Sequence, residues 1–225
     1  MGDISDESIA GKIISDVNTN NKSIGFDLFE GKTIKRKSNL NINRIRIVEV
    51  ANTFAKIIHK IRDSANINYQ NNVANLLGLT SLAVSEIKTK YKVKGRLNKN
   101  KALLLLCRKI FEKFLRAINE IYKEDWIDNT NSLIFRSKYI SAFLLLFDDS
   151  IGNGENMNLF KTKLTQIKAR IKSNTDWSNS LNIPTNENDQ VFHKNRQAIP
   201  NIKFGTNTIH SGLKHYINNN TTWHA

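Results

Sequence analysis

The 225-residue sequence predicts a mostly α-helical protein, a multi-helix bundle with an irregular carboxy-terminal segment. Three observations lead there. Apolar residues recur at three- and four-residue spacing through several long segments, the pattern of a helix with one buried face. Both prolines, Pro184 and Pro200, fall late, so the first 173 residues are free of the strongest helix breaker. Thr175–Phe204, which carries both prolines, is polar and has no clear period, as expected of an extended loop or short strands.

Taken in order, Met1–Asn41 supports one helix, at Ser5–Asp16, and Ile24–Phe29 is too short to assign. Asn43–Asp63 reads as a long amphipathic helix with Ile47, Val50, Ala51, Phe54, Ile57, Ile58 and Ile61 on its buried side. Lys101–Lys123 repeats the pattern with Leu103, Leu106, Cys107, Ile110, Phe114, Ala117, Ile118 and Ile121. Two further helices are expected at Ser137–Ser150 and Asn156–Lys172, separated by a turn at Ile151–Glu155 in which Gly152 ends the first. A last short helix at Thr206–Asn218 has Thr206 or Asn207 as its cap and Ile209, Leu213, Tyr216 and Ile217 inside. No internal repeat is present. The expected division is an amino-terminal arm at 1–42, a helical core at 43–173, and an irregular segment with its final helix packed on the core at 174–225.

The length is sufficient to bury a real core. The net charge of +14 and pI near 9.9 favour an anionic partner, nucleic acid or an acidic membrane surface. A genome biased towards Lys, Asn and Ile would raise the lysine count without any binding role. Cys107 is the single cysteine, so an internal disulfide is impossible, and its apolar surroundings mark it as a small buried hydrophobe. The longest apolar runs, Ala102–Cys107 and Ile140–Phe147, fall well short of a bilayer span. The acidic start (Asp3, Asp6, Glu7) lacks a signal-peptide core, so a soluble, cytoplasmic protein is expected, with no membrane partner.

One stretch carries a motif. In QNNVANLLGLTSLAVSEIK, Gln70 to Lys88, Ala74 is a small residue where a second helix must cross the first. Four positions on, Gly78 supplies the positive φ that the turn requires. Val73, Leu77, Leu79, Val84 and Ile87 stand at the offsets that point into the angle between two helices, and Thr80 or Ser81 can cap the second. The stretch resembles the helix-turn-helix of phage-repressor-type DNA-binding domains over about twenty residues. The resemblance implies a bundle containing a helix-turn-helix, with Ser81–Lys90 as recognition helix. Gln70 falls within the motif, and Thr80, Ser81 and Ser85 would reach base edges or phosphates. Leu82 and Glu86 would share the exposed face, where a glutamate's default effect on DNA is repulsive. That face has no Arg, Asn or Gln, so strong base readout is not expected.

Two basic runs adjoin the motif. KTKYKVKGRLNKNK contains Lys88, Lys90, Lys92, Lys94, Arg96, Lys99 and Lys101 with Tyr91 interleaved and no acid, and suits phosphate neutralisation. Its alternation from Lys88 to Lys94 also fits a solvated edge strand guarded by lysines. GKTIKRKSNLNINRIR, Gly31 to Arg46, carries Lys32, Lys35, Arg36, Lys37, Arg44 and Arg46. Cations near a helix start oppose its dipole, so this run is not there for helix stability and reads as a phosphate-binding arm or a solvated loop.

Catalytic and metal signatures are weak. Asp148 and Asp149 are adjacent, point about 100° apart on a helix, and are expected to cap or solvate its end. His210 and His215 are five apart, a poor fit to a shared metal. His193 and Arg196 make no active site by themselves. The stretches ESIAGKII, KTIKRKSNLN and DWSNSLNIP…VFHKNRQAIPNIKFGTNTIHSGLK are similar in order to the carboxy-terminal region of DGQHR-type proteins, the group containing the regulator associated with DNA phosphorothioation. Trp177, Ile199–Ile202 and Thr206–Leu213 follow that family's sequence of features, although the DGQHR pentapeptide is absent. The similarity implies a DNA-associated regulatory or modification-linked role and carries over no catalytic residue. The expected function is therefore a DNA-binding protein, a transcriptional regulator or modification-associated factor. It needs no cofactor, binds duplex DNA, and is compatible with a homodimer on two half-sites. The alternatives are a helical scaffold or protein-interaction module, or an RNA-binding protein with Tyr91 or another aromatic stacked on an unpaired base.

Overall fold

The computed structural model describes residues 5–20, 40–123, 137–170 and 205–218. The expected loop at 175–204, the first basic run up to Asn39 and the histidine and arginine at 193 and 196 lie outside them. Among the described residues there are eight helices and no strand. They are α1 (Asp6–Asn20), α2 (Leu40–Arg62), α3 (Ile67–Leu77), α4 (Val84–Lys90), α5 (Lys99–Ile121), α6 (Ser137–Gly152), α7 (Met157–Arg170) and α8 (Thr206–Asn218). The protein is thus the mostly α bundle that the periodicity predicts. The edge strand considered for Lys88–Lys94 does not form: that segment is the end of α4 and the turn after it.

The bundle is arranged around α6. Tyr139, Ile140, Ala142, Phe143, Leu144, Leu146, Phe147 and Ile151 are all buried, so this helix is apolar on nearly every side. A helix of that kind must be surrounded, and α2, α3 and α8 pack on it. On the other side of the core, α5 carries α1, α4 and α7. Where α5, α6 and α7 meet, Phe111, Phe114, Phe147 and Phe160 form a chain of ring contacts, 4.9 Å between the centroids of Phe147 and Phe160. Tilted aromatic pairs at such distances add to what area burial alone supplies. Ala10, Ile13 and Ile14 of α1 and Ile209, Leu213 and Tyr216 of α8 belong to the same buried cluster.

The helix ends explain several boundaries. Asp6 and Glu7 open α1, while His59, Lys60 and Arg62 close α2, each matching the local helix dipole. Arg62 donates to Asp6 at 2.7 Å and ties the two ends together. Gly152 is the last residue of α6, but the left-handed residue is Gly154 (φ +71°), whose amide bonds back to Ile151 O. Thr206 does not cap α8; its hydroxyl donates to Glu49 on α2, which also accepts from Ser137 at the start of α6.

Asp148 and Asp149 correct the expectation of a solvated helix end. Asp148 is buried and accepts from Tyr69 Oη at 2.8 Å and Lys60 Nζ at 2.6 Å, so it joins α6 to α3 and α2. Asp149 points the other way, to His210 Nε2 at 2.9 Å and Lys214 Nζ at 3.2 Å on α8. The divergence of adjacent helical residues thus serves packing. Cys107 is fully buried, and burial pushes its thiol well above the ordinary range, which makes it inert. Among the described residues no group of His, Cys, Asp or Glu is placed to hold a metal ion, and no helix is long and apolar enough to cross a membrane.

Candidate nucleic-acid interface

The motif residues build α3, a six-residue turn and α4. Val73, Ala74 and Leu77 are buried on α3, Leu79 in the turn and Ile87 on α4, while Val84 is half-buried. Gly78 adopts φ +66°, and the amides of Gly78 and Leu79 bond back to Asn75 O and Ala74 O at 3.0 and 2.9 Å. These are the two hydrogen bonds that close a helix through a left-handed residue. A Cβ on Gly78 would stand 3.2 Å from Lys90 Nζ, which places the first lysines of the basic tract against the turn.

The second helix starts at Val84, three residues later than Ser81. Neither Thr80 nor Ser81 caps it; the residue before α4 is Ala83, extended at φ −64°, ψ 141°. The cause is Glu86. Its carboxylate accepts from the Thr80 hydroxyl, from the Thr80 amide at 2.9 Å and from the Ser81 amide at 3.1 Å. Those amides are therefore held by the turn. The hydrogen bonds from Thr80 and Ser81 keep the Glu86 carboxyl below its ordinary range. Glu86 thus turns back from the exposed face on which the sequence places it. Leu82 is also withdrawn, packed against the core.

Thr80 and Ser85 are exposed and Ser81 is half-buried, with its hydroxyl accepting from the Ala83 amide at 3.2 Å. Gln70 is committed elsewhere: its side-chain amide donates to Ile61 O and Asp63 O, both at 3.0 Å, and closes the end of α2. Lys35, Arg36 and Lys37 lie outside the described residues, so the structure joins only the second basic run to the motif.

That run is continuous and exposed. Lys88, Lys90, Lys92, Lys94, Arg96, Lys99 and Lys101 all stand in solvent, and none forms an ion pair among the described residues. No acidic residue occurs between Glu86 and Glu112. By contrast Asp6, Glu112, Glu120, Asp148, Asp149 and Glu155 are each engaged by a cation. The backbone folds the run tightly. Lys92 has φ +50°, with its amide bonded to Thr89 O and that of Val93 to Lys88 O, and Gly95 is left-handed at φ +79°. Asn98 then caps α5 by accepting from the Lys101 amide at 2.8 Å. The first turn of α5 holds Lys99 and Lys101 and no acid, a charge pattern unfavourable to the helix itself. Tyr91 is half-buried with Lys109 Nζ 5.8 Å from its ring centroid, so one ring face is already covered.

Further cations continue the surface along α5, and composition alone did not single them out. Lys109, Lys113 and Arg116 follow helical spacing on the polar side of α5. Lys109, with Arg108, is bound to Glu112: burial pushes the Glu112 carboxyl up, but hydrogen bonds from the two cations outweigh it and hold the group below its ordinary range. The readable signal was a second basic stripe, three and four residues apart, on the helix that follows the tract. Comparison of the chain with known protein families, curated proteins and solved structures finds no match.

Proposed function

We propose that the protein binds duplex DNA, mainly through its phosphates, with the Lys88–Lys101 tract as clamp and the α3–turn–α4 unit as the element that sets its orientation. One observation carries this: seven exposed basic residues, without an acidic partner among the described residues, run from the last turn of a short surface helix into the start of α5, and that helix's one acid is folded into its own turn. Phosphate contacts of this kind position a protein on the duplex without reading its sequence. The buried wedge of Val73, Leu77, Leu79 and Ile87 and the left-handed Gly78 support a helix-turn-helix reading. At seven residues α4 is about 10 Å long, two turns to enter a groove. Its exposed Ser85, Lys88, Thr89 and Lys90 include no Arg, Asn or Gln; the two lysines can reach guanine edges, but their flexible point charges favour phosphate, so sequence preference is weak. The half-covered ring of Tyr91 counts against that residue as a base-stacking platform in the RNA alternative.

Anisotropy titrations of a duplex across a salt series test the proposal. Binding should fall about a thousandfold between roughly 50 and 200 mM salt if six or more phosphates are engaged. Replacing Lys90, Lys92 and Lys94 together with glutamine should weaken binding to all sequences alike and reduce the logarithmic salt slope by about 0.9 for each phosphate no longer neutralised. Salt-independent affinity, or an unaltered slope in the triple variant, overturns it.

A further inference from the structure

A cavity of about 320 Å³ opens between α3, α5 and the start of α7, lined by Asn72, Asn75, Leu76, Lys113, Gly154, Glu155 and Asn156–Asn158. Lys113 is half-buried in its wall and has no hydrogen-bond or ion-pair partner among the described residues. Its surroundings make this costly. Burial pushes the ammonium below its ordinary range, and the like charges of Lys90, Arg116 and Lys161 push it the same way. Only Lys161 is offset, by Glu120 at 2.5 Å. The single acid on the cavity wall, Glu155, is engaged by Lys163, with Oε1 2.6 Å from Nζ. Asn72 is also occupied, donating to Ile151 O at 2.9 Å, whereas the exposed side chains of Asn75 and Asn158 have no fixed partner among the described residues.

A partly desolvated cation held among other cations, beside a cavity edged by asparagine side chains, would be stabilised further by an anion that the site does not itself contain. We infer that this cavity is a phosphate-binding site, with Lys113 as its central cation and the Asn75 and Asn158 carboxamides as hydrogen-bond donors. A phosphate group has the charge to neutralise the Lys90–Lys113–Arg116 cluster and the several acceptor oxygens that such donors need. The site borders the lysine tract at Lys90; its small-phosphate form stands independently of the duplex-binding proposal, and its backbone form rests on it. The group belongs either to a small phosphate or to a nucleic-acid backbone passing from Lys90 across α5.

Isothermal titration of the full chain with inorganic phosphate and with a nucleoside monophosphate, beside duplex titrations, separates these sources. For a small ligand, Lys113→Gln should weaken binding by about tenfold or more, the loss expected of one charge-assisted hydrogen bond, while Lys92→Gln leaves it intact. For a backbone phosphate, the same change weakens duplex binding alone. In phosphate-free buffer Lys113→Gln should melt no lower than the wild type, because a like charge has been removed; Lys113→Met, which keeps the aliphatic stem, serves if the glutamine variant misfolds. A wild type that binds neither small phosphate nor duplex more tightly than the Lys113 variants overturns the inference. A wild type that binds inorganic phosphate but no duplex overturns the proposed function and leaves the cavity assigned.

Discussion

Three helix ends close through a left-handed residue: Gly78 after α3, Gly154 after α6 and Lys92 after α4. The hydrogen bonding is the same in each, but only Lys92 has a side chain. For a residue with a Cβ that conformation costs about 1–2 kcal/mol. Lys92→Gly should therefore stabilise the protein by roughly 0.5–1 kcal/mol, after allowance for the greater freedom of glycine in the unfolded chain. Gly78→Ala should destabilise it by a similar amount or more. Urea titrations of both variants measure the difference. The two positions differ in legibility. Gly78 is readable because a glycine between two apolar helices has few other uses. The turn at Lys92 is hidden in an alternating basic run, where period-two spacing suggests a strand.

At the level of the element, α8 is tied to α6 by polar contacts at Asp149. His210 is largely enclosed, and burial lowers its imidazole below the ordinary value of 6.5, although Asp149 and the more distant Asp148 pull upwards and Lys214 adds to the lowering. The unfolded chain then binds more protons than the native one as pH falls, so this contribution is complete above the ordinary imidazole value and is lost as pH falls through it towards the folded value. Thermal melts between about pH 8 and about pH 5 should show a decline that is shallower in His210→Gln. A decline equally steep in the variant would assign it to other groups. The sequence places α8 to the residue, because Ile209, Leu213 and Tyr216 repeat at helical spacing. Its polar contacts escape such reading: Asp149 and His210 are 61 positions apart. The same holds for Asp148 with Tyr69, 79 apart, and for Glu86, whose role depends on a turn that exists only once α3 and α4 are placed. Helical period reports which face is buried, whereas polar pairing is set by which helices become neighbours.

Across the whole molecule, stability and charge are distributed unevenly. Most of the aromatic packing lies around α5, α6 and α7, while the basic tract sits at the margin, on the end of α4, the turn after it and the first turn of α5. The excess charge was legible from composition; that Lys113 is half-buried beside an asparagine-edged cavity was not, since that depends on α7 closing over α5. Ile87 is the one side chain of α4 that is fully enclosed, and enclosing a single isoleucine contributes about 1.5–3 kcal/mol. Leu82, Val84 and Tyr91 add only partly buried contacts, and a segment so lightly secured detaches more cheaply than the chain unfolds. Amides of α4 should accordingly exchange with deuterium orders of magnitude faster than those of α6, and equal protection would show that the segment opens only with the rest. If α4 does come loose by itself, Lys88 and Lys90 ride on a tethered cantilever, free to align with a curved polyanion while Lys99, Lys101 and the aromatic centre stay fixed.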